Sequence, residues 1–145
     1  MKILGIIAEY NPFHMGHQYQ IKKAKELSGA DYVVAIMSGN YVQRGAPAVF
    51  EKSIRTKTAL NAGIDAVFEI PSFFSGASAA DFARYGISLL DILGVDYISF
   101  GAENNDYDLL CSVAGILSGE EIEISIKKYL VSGLNYAKAR HSAIM

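Results

Sequence analysis

Along the first hundred positions, short apolar runs alternate with longer stretches in which apolar and charged residues mix at helical spacing. Ile3 to Ala8 is the first run, and it reads as a strand. One pattern then recurs. Gly29-Ala30-Asp31-Tyr32 leads into Val33 to Met37, Gly63-Ile64-Asp65-Ala66 leads into Val67 to Ile70, and Gly94-Val95-Asp96-Tyr97 leads into Ile98 to Phe100. The copies lie 34 and 31 residues apart, the length of one strand-plus-helix unit. In each copy the Gly suits the left-handed position just past a helix. The Asp suits the short turn that follows. The apolar run predicts a strand buried on both faces, as parallel sheets require.

The stretches between the strands predict helices. His17 to Leu27 sets Ile21, Ala24 and Leu27 on one side, Glu51 to Ala62 carries Ile54, Ala59 and Leu60, and Ala79 to Leu93 carries Phe82, Leu89, Leu90 and Leu93. Strands alternating with helices predict an α/β fold, a Rossmann-like parallel sheet with helices on both faces and right-handed crossovers. Residues 1–105 form this α/β core. Residues 106–145 read as a helical continuation of the same domain, with helices over Asp106 to Leu117 and Glu120 to Leu130 and a helical start near Ala137.

Composition narrows the class. No apolar run approaches the roughly 18 residues of a membrane span, and no signal sequence is visible after Lys2. A lone Cys111 excludes an intrachain disulfide framework and a cysteine-rich zinc site, and in an apolar helix it reads as core. A cytoplasmic protein without a structural metal is expected. The net charge of −2 offers no general attraction to nucleic acid.

In open α/β sheets the ligand sits beyond the carboxyl ends of the strands. Four segments end there: Glu9 to His17, Ser38 to Pro47, Pro71 to Ser78 and Gly101 to Asn104. The first is the most informative, reading Glu9-Tyr10-Asn11-Pro12-Phe13-His14-Met15-Gly16-His17. Two histidines three apart at a helix start share a side. Gly16 permits close approach of the backbone to a ligand. Free amides at the helix start favour a phosphate, and imidazoles can stabilise charge developing on it. The metalloprotease arrangement, with histidines four apart around a Glu, is absent. In the second segment Ser38, Asn40 and Gln43 can hydrogen-bond a nucleotide or carboxylate, and Arg44 can pair with phosphate or a carboxylate. Lys52 and Arg55 follow and add positive charge. Glu9 and Glu69 end strands at the same edge, where either can hold magnesium through water, accept a ribose hydroxyl or bond its own loop. Asp81 and Arg84 read as an exposed helix pair.

His14-Met15-Gly16-His17 after an apolar strand resembles the signature of the nucleotidyltransferase superfamily. A more specific likeness joins Glu9 to His14 with Met37-Ser38-Gly39-Asn40-Tyr41-Val42-Gln43-Arg44-Gly45 and with Phe100-Gly101-Ala102-Glu103. Together these resemble the bacterial tRNA(Met) cytidine acetate ligase family over nearly the whole chain. The resemblance implies activation of acetate by ATP, with Mg2+, to acetyl-adenylate. Acetyl then passes to the wobble cytidine of elongator tRNA(Met). It implies an ATP site along Ile7, Ala8, Glu9, Tyr10, Asn11, Pro12, Phe13, His14, Gly16 and His17, with Gly101. Catalysis falls to His14, His17 and Arg44, and acetate or phosphate contacts to Ser38, Asn40, Gln43 and Lys52. The alternatives are an adenylyl- or cytidylyltransferase acting on a phosphorylated metabolite, and a non-catalytic nucleotide-binding module.

The superfamily's second phosphate motif, carrying Ser with Lys or Arg, is not recognisable before Met145. The chain is therefore expected to be a fragment or short form that binds ATP but forms little acetylcytidine alone. The cations Arg44, Lys52, Arg55 and Lys57 lie near the second loop, close enough to guide an anticodon but too few to hold a whole tRNA.

Overall fold

A computed structural model describes residues 1–43, 45–104 and 106–144. Within residues 1–101 four strands form one parallel sheet: β1 (Ile3–Ala8), β2 (Tyr32–Ser38), β3 (Ala66–Ile70) and β4 (Tyr97–Ser99), in the order β3-β2-β1-β4. The helices between them are α1 (Met15–Ser28), α2 (Lys52–Asn61), the short α3 (Ser72–Ser75) and α4 (Ala79–Ile92). The α/β fold predicted from the repeat is thus observed, and α3 is the element the repeat does not announce.

Side chains of a strand alternate between faces, and the two faces build two cores. Leu4, Ile6, Val33, Ala35 and Met37 pack with Ile21 of α1 and Ala59 of α2. Ile36 and Ile70 pack with Leu90 of α4. Helix α4 lies very close to β1, because each element presents a glycine to the other. A Cβ on Gly5 would stand 2.6 Å from Leu90, and one on Gly86 would stand 2.6 Å from Ile7.

The recurring Gly-x-Asp does more than make a turn. Gly29, Gly63 and Gly94 are left-handed at φ 60°, 108° and 67°, which ends each helix cheaply. Each Asp then reaches across to the start of a neighbouring strand, not to its own turn. Asp31 donates its amide to the Lys2 carbonyl at 2.9 Å and accepts the Lys2 amide at 2.7 Å. Asp65 does the same with Val33, at 2.7 Å both ways, and Asp96 with Ile3, at 2.9 and 2.7 Å. These three clasps satisfy main-chain groups at the amino-terminal rim that the strand ladder leaves open.

Burial departs from expectation at the flanks. Tyr97 and Ile98 of β4 are exposed, as are Phe68 and Glu69 of β3. Both strands are at the sheet's edges among the described residues, so the doubly buried character predicted for every strand holds only for the central pair β1 and β2.

Residues 102–145 form a second compact unit. It contains α5 (Tyr107–Leu117), α6 (Glu120–Val131) and α7 (Tyr136–Ile144), with Ile122, Ile126 and Ala139 at its centre. Cys111 is exposed on α5, so its predicted place in a core is not observed. No helix among the described residues is long and apolar enough to cross a membrane.

Candidate functional site

The chain leaves β1 to build β2 on one side and returns later to build β4 on the other. Such a reversal opens a crevice at the carboxyl ends of the two strands. A cavity of about 780 Å³ occupies that place, ample for a nucleotide. Its wall takes Ile7 to Pro12, His14, His17 and Gln20 from β1 and α1, Val42 and Gln43 from the second loop, Ala79 and Phe82 from α4, and Phe100 and Gly101 after β4.

The two histidines form the helix cap of α1. His14 is the N-cap, and its Nδ1 accepts the Gly16 amide at 3.1 Å. His17 returns the favour: its Nδ1 accepts the His14 amide at 3.2 Å. The rings stack with centroids 3.7 Å apart. With both Nδ1 atoms accepting, the neutral tautomer of each ring carries its proton on Nε2, which is the donor each can offer a ligand. The His17 imidazole is held below its ordinary pKa, first by burial and then by the neighbouring His14. Gly16 leaves room for the cap, since a Cβ there would stand 3.0 Å from the His14 ring, which would have to shift. The helix start therefore differs from expectation. The Gly16 and His14 amides are taken by the histidines, and the His17 amide is bonded to the His14 carbonyl at 3.0 Å.

Tyr10 underlies this pair, with His17 edge-on at 5.1 Å and Phe13 at 5.0 Å. It is 1% exposed, and burial pushes its phenol up to about 12. Its backbone has a φ of 50°, an uncommon value for a residue with a side chain. This turn redirects the chain from β1 toward His14.

Three links tie the first loop to the second. The Glu9 carboxylate accepts the Gln43 amide at 2.6 Å, and the Asn11 side-chain carbonyl accepts the Val49 amide at 2.7 Å. Beneath both sits Arg55, 1% exposed. Its guanidinium donates to the carbonyls of Glu9 at 2.6 Å, Ser38 at 3.1 Å, Phe50 at 3.0 Å and Gly39. Burial lowers its pKa, while Glu9 and Glu69 act in the opposite direction.

Of the residues expected to contact ATP, Ile7, Ala8, Glu9, Tyr10, Asn11, Pro12, His14, His17 and Gly101 meet around the cavity. Phe13 and Gly16 do not line it; they support the histidines. Gln43 lines it, whereas Asn40 and Lys52 border a separate cavity of about 520 Å³ beside Phe50. Ser38 is fully buried and its hydroxyl lies 3.4 Å from Arg55, so it belongs to the packing under the loop and not to a ligand surface. Arg44 lies outside the described residues. Arg55 is no surface cation: it is committed to four carbonyls and cannot reach an anticodon. Lys52 is paired with Glu69 at 2.7 Å. The Asp81 and Arg84 pair expected on α4 is present at 3.7 Å.

Sequence reasoning did not assign Gln20, Val42, Ala79, Phe82 and Phe100 to the site. Gln20 was findable, three residues past His17 on the same helical face; its amide reaches the Ser99 carbonyl and hydroxyl at 3.4 and 3.3 Å. Among the described residues, no three His, Cys, Asp or Glu side chains gather as a metal site. Glu9 and Glu69, the carboxylates considered for magnesium, are engaged with Gln43 and Lys52.

Comparison with known proteins agrees with this geometry. A tRNA(Met) cytidine acetate ligase of Thermoanaerobacter sp. is 50% identical over 147 residues, covering 99% of this chain and 37% of that protein. One from Caldicellulosiruptor saccharolyticus is 50% identical over 146 residues, covering 99% and 36%. The chain thus spans a little over a third of the length of these curated relatives. Thermotoga maritima TmcAL, in a crystal structure bound with alpha-thio ATP, superposes with a TM-score of 0.89 at 42% identity, over 99% of this chain and 36% of that one. A Thermoplasma volcanium lipopolysaccharide core biosynthesis protein, 16% identical with a TM-score of 0.53 over 77% of this chain and 83% of that one, shares the fold alone. All of residues 1–145 match the HIGH Nucleotidyl Transferase family, and the chain belongs to it.

Proposed function

We propose that this chain is the nucleotide-binding portion of a tRNA(Met) cytidine acetate ligase. The observation that carries the reading is the cavity at the reversal point of the sheet, walled on one side by the stacked His14 and His17. ATP enters it with its own Mg2+, its phosphates near the two histidines. A carboxylate oxygen of acetate attacks the α-phosphorus, the α–β phosphoanhydride breaks, and pyrophosphate leaves with acetyl-adenylate formed. The exocyclic amine of the wobble cytidine in elongator tRNA(Met) then attacks the acetyl carbonyl, and AMP departs as the amine loses a proton.

The protein's part is positioning and charge stabilisation. Nε2–H of His14 and of His17 donates to phosphate oxygens as negative charge moves onto the leaving pyrophosphate. Arg44 supplies a cation to phosphate or acetate, and Gln43 a polar contact. Ile7, Ala8 and Gly101 offer apolar walls and open backbone to the nucleoside. The enzyme so proposed works in the cytoplasm.

The test is exchange of labelled pyrophosphate into ATP by a chain of the relatives' length. Exchange that depends on acetate supports the reading. Exchange that depends on a phosphorylated metabolite points to a nucleotidyltransferase, and ATP binding without any exchange points to a binding module.

A further inference from the structure

The carbonyls at the carboxyl end of a parallel sheet have no further strand partner, and they must bond elsewhere or to water. In this chain one side chain gathers three of them, together with a fourth carbonyl from the loop ahead of α2. Arg55 holds Glu9 at the end of β1, Ser38 and Gly39 at the end of β2, and Phe50 ahead of α2. Among the described residues no carboxylate is within ion-pair distance of Arg55, and burying a cation without one is expensive. A guanidinium suits the place because its donors are fixed in a planar fork and reach several acceptors at once, as a lysine cannot. The residue after Glu9 is Tyr10, at φ 50°, from which the chain turns to His14. The two other ties between the loops, Glu9 to Gln43 and Asn11 to Val49, start within two residues of that carbonyl.

We infer that Arg55 is a positioning residue. It sets the first loop, with its histidines, at a fixed distance from the second loop across the cavity, without touching the ligand. The inference rests on the proposed ATP site only for its effect on binding; the loop geometry itself is independent of that reading.

Arg55→Lys and Arg55→Ala test it. Circular dichroism establishes a temperature at which each variant is folded, and ATP affinity is measured there by calorimetry. We expect the Kd for ATP to rise at least tenfold in both, with partial recovery of Arg55→Ala in millimolar guanidinium chloride but not in sodium chloride. In amide exchange without nucleotide, Gln43 and Val49 are expected to lose protection in both variants. Unchanged ATP affinity in folded protein, or unchanged protection of both amides, would overturn the inference. If wild-type protein binds no ATP, the functional reading fails, and the amide measurement still decides the role of Arg55. If neither variant folds, the wild type decides it: Arg55 Nε–H and the Gln43 and Val49 amides must exchange through one common opening. Unrelated exchange rates would sink the idea.

Discussion

The main-chain amide of His14 donates to Nδ1 of His17 at 3.2 Å, so the second histidine of the motif holds the first in place. The capping role and the proposed phosphate role use different nitrogens of the same rings, and substitutions can separate them. His14→Ala removes the cap and the Nε2 donor together. It should lower stability by about 1 kcal/mol and cut pyrophosphate exchange by about 100-fold. His14→Asn restores a good cap, but its shorter side chain places no donor at the Nε2 position, so it should recover the stability alone. Denaturant titration beside the exchange assay reads both. Recovery of exchange in His14→Asn would mean that the histidine serves only the helix.

A second prediction concerns pH. His17 is held below its ordinary 6.5 by burial and by His14, so the unfolded chain takes up a proton first as pH falls. Stability contributed by the neutral ring is complete above pH 6.5 and shrinks as pH falls through the folded value. His17→Gln keeps a capping-box acceptor that does not titrate. Unfolding free energy measured from pH 7.5 to pH 5 should therefore fall more for wild type than for His17→Gln. Parallel curves would mean that folding does not hold the His17 ring in its neutral form.

Gly101 supplies the third. It lines the cavity, its φ lies outside the left-handed range, and a Cβ built on it meets no described atom within 4 Å. The fold does not require a glycine here, and under the proposed function its bare backbone leaves that space to the nucleotide. Gly101→Val should leave the melting temperature within a degree or two and weaken ATP binding tenfold or more. Full ATP affinity in this variant would place the nucleotide elsewhere in the cavity.

Much of this was legible because each sequence signal had one physical cause. Gly29, Gly63 and Gly94 announced helix ends, since a left-handed residue disfavours every side chain. The histidines announced the site through their spacing at the first helix start. Arg55 was misread for an equally physical reason. Its neighbours Lys52, Ser53, Ile54 and Lys57 are all exposed, and nothing local marks one cation on such a helix as buried. Its acceptors are backbone carbonyls, which carry no residue signature, and two of its segments lie 17 and 46 positions away. Ser38 was misjudged with it, because a serine at a strand end reads the same whether it faces a ligand or an arginine.

The clasps give a fourth prediction. Asp65→Ala removes the acceptor of the Val33 amide and leaves that strand start to water. Since the carboxylate is partly exposed, the loss should be about 1 kcal/mol. ATP affinity should not change, because the clasp lies at the rim opposite the cavity. Calorimetric titration at a temperature where both proteins are folded checks this, and a weakened Kd would show that the two rims are mechanically coupled.

The clasped rim also fixes where a handle can be attached. Lys2 and Ile3 are held by Asp31 and Asp96, while Met1 just before them is 89% exposed. From there the six residues of β1 run to the cavity, about 20 Å at roughly 3.3 Å per residue. A biotin or peptide tether on Met1 therefore attaches at the end of β1 away from the cavity, at that distance from the proposed nucleotide site.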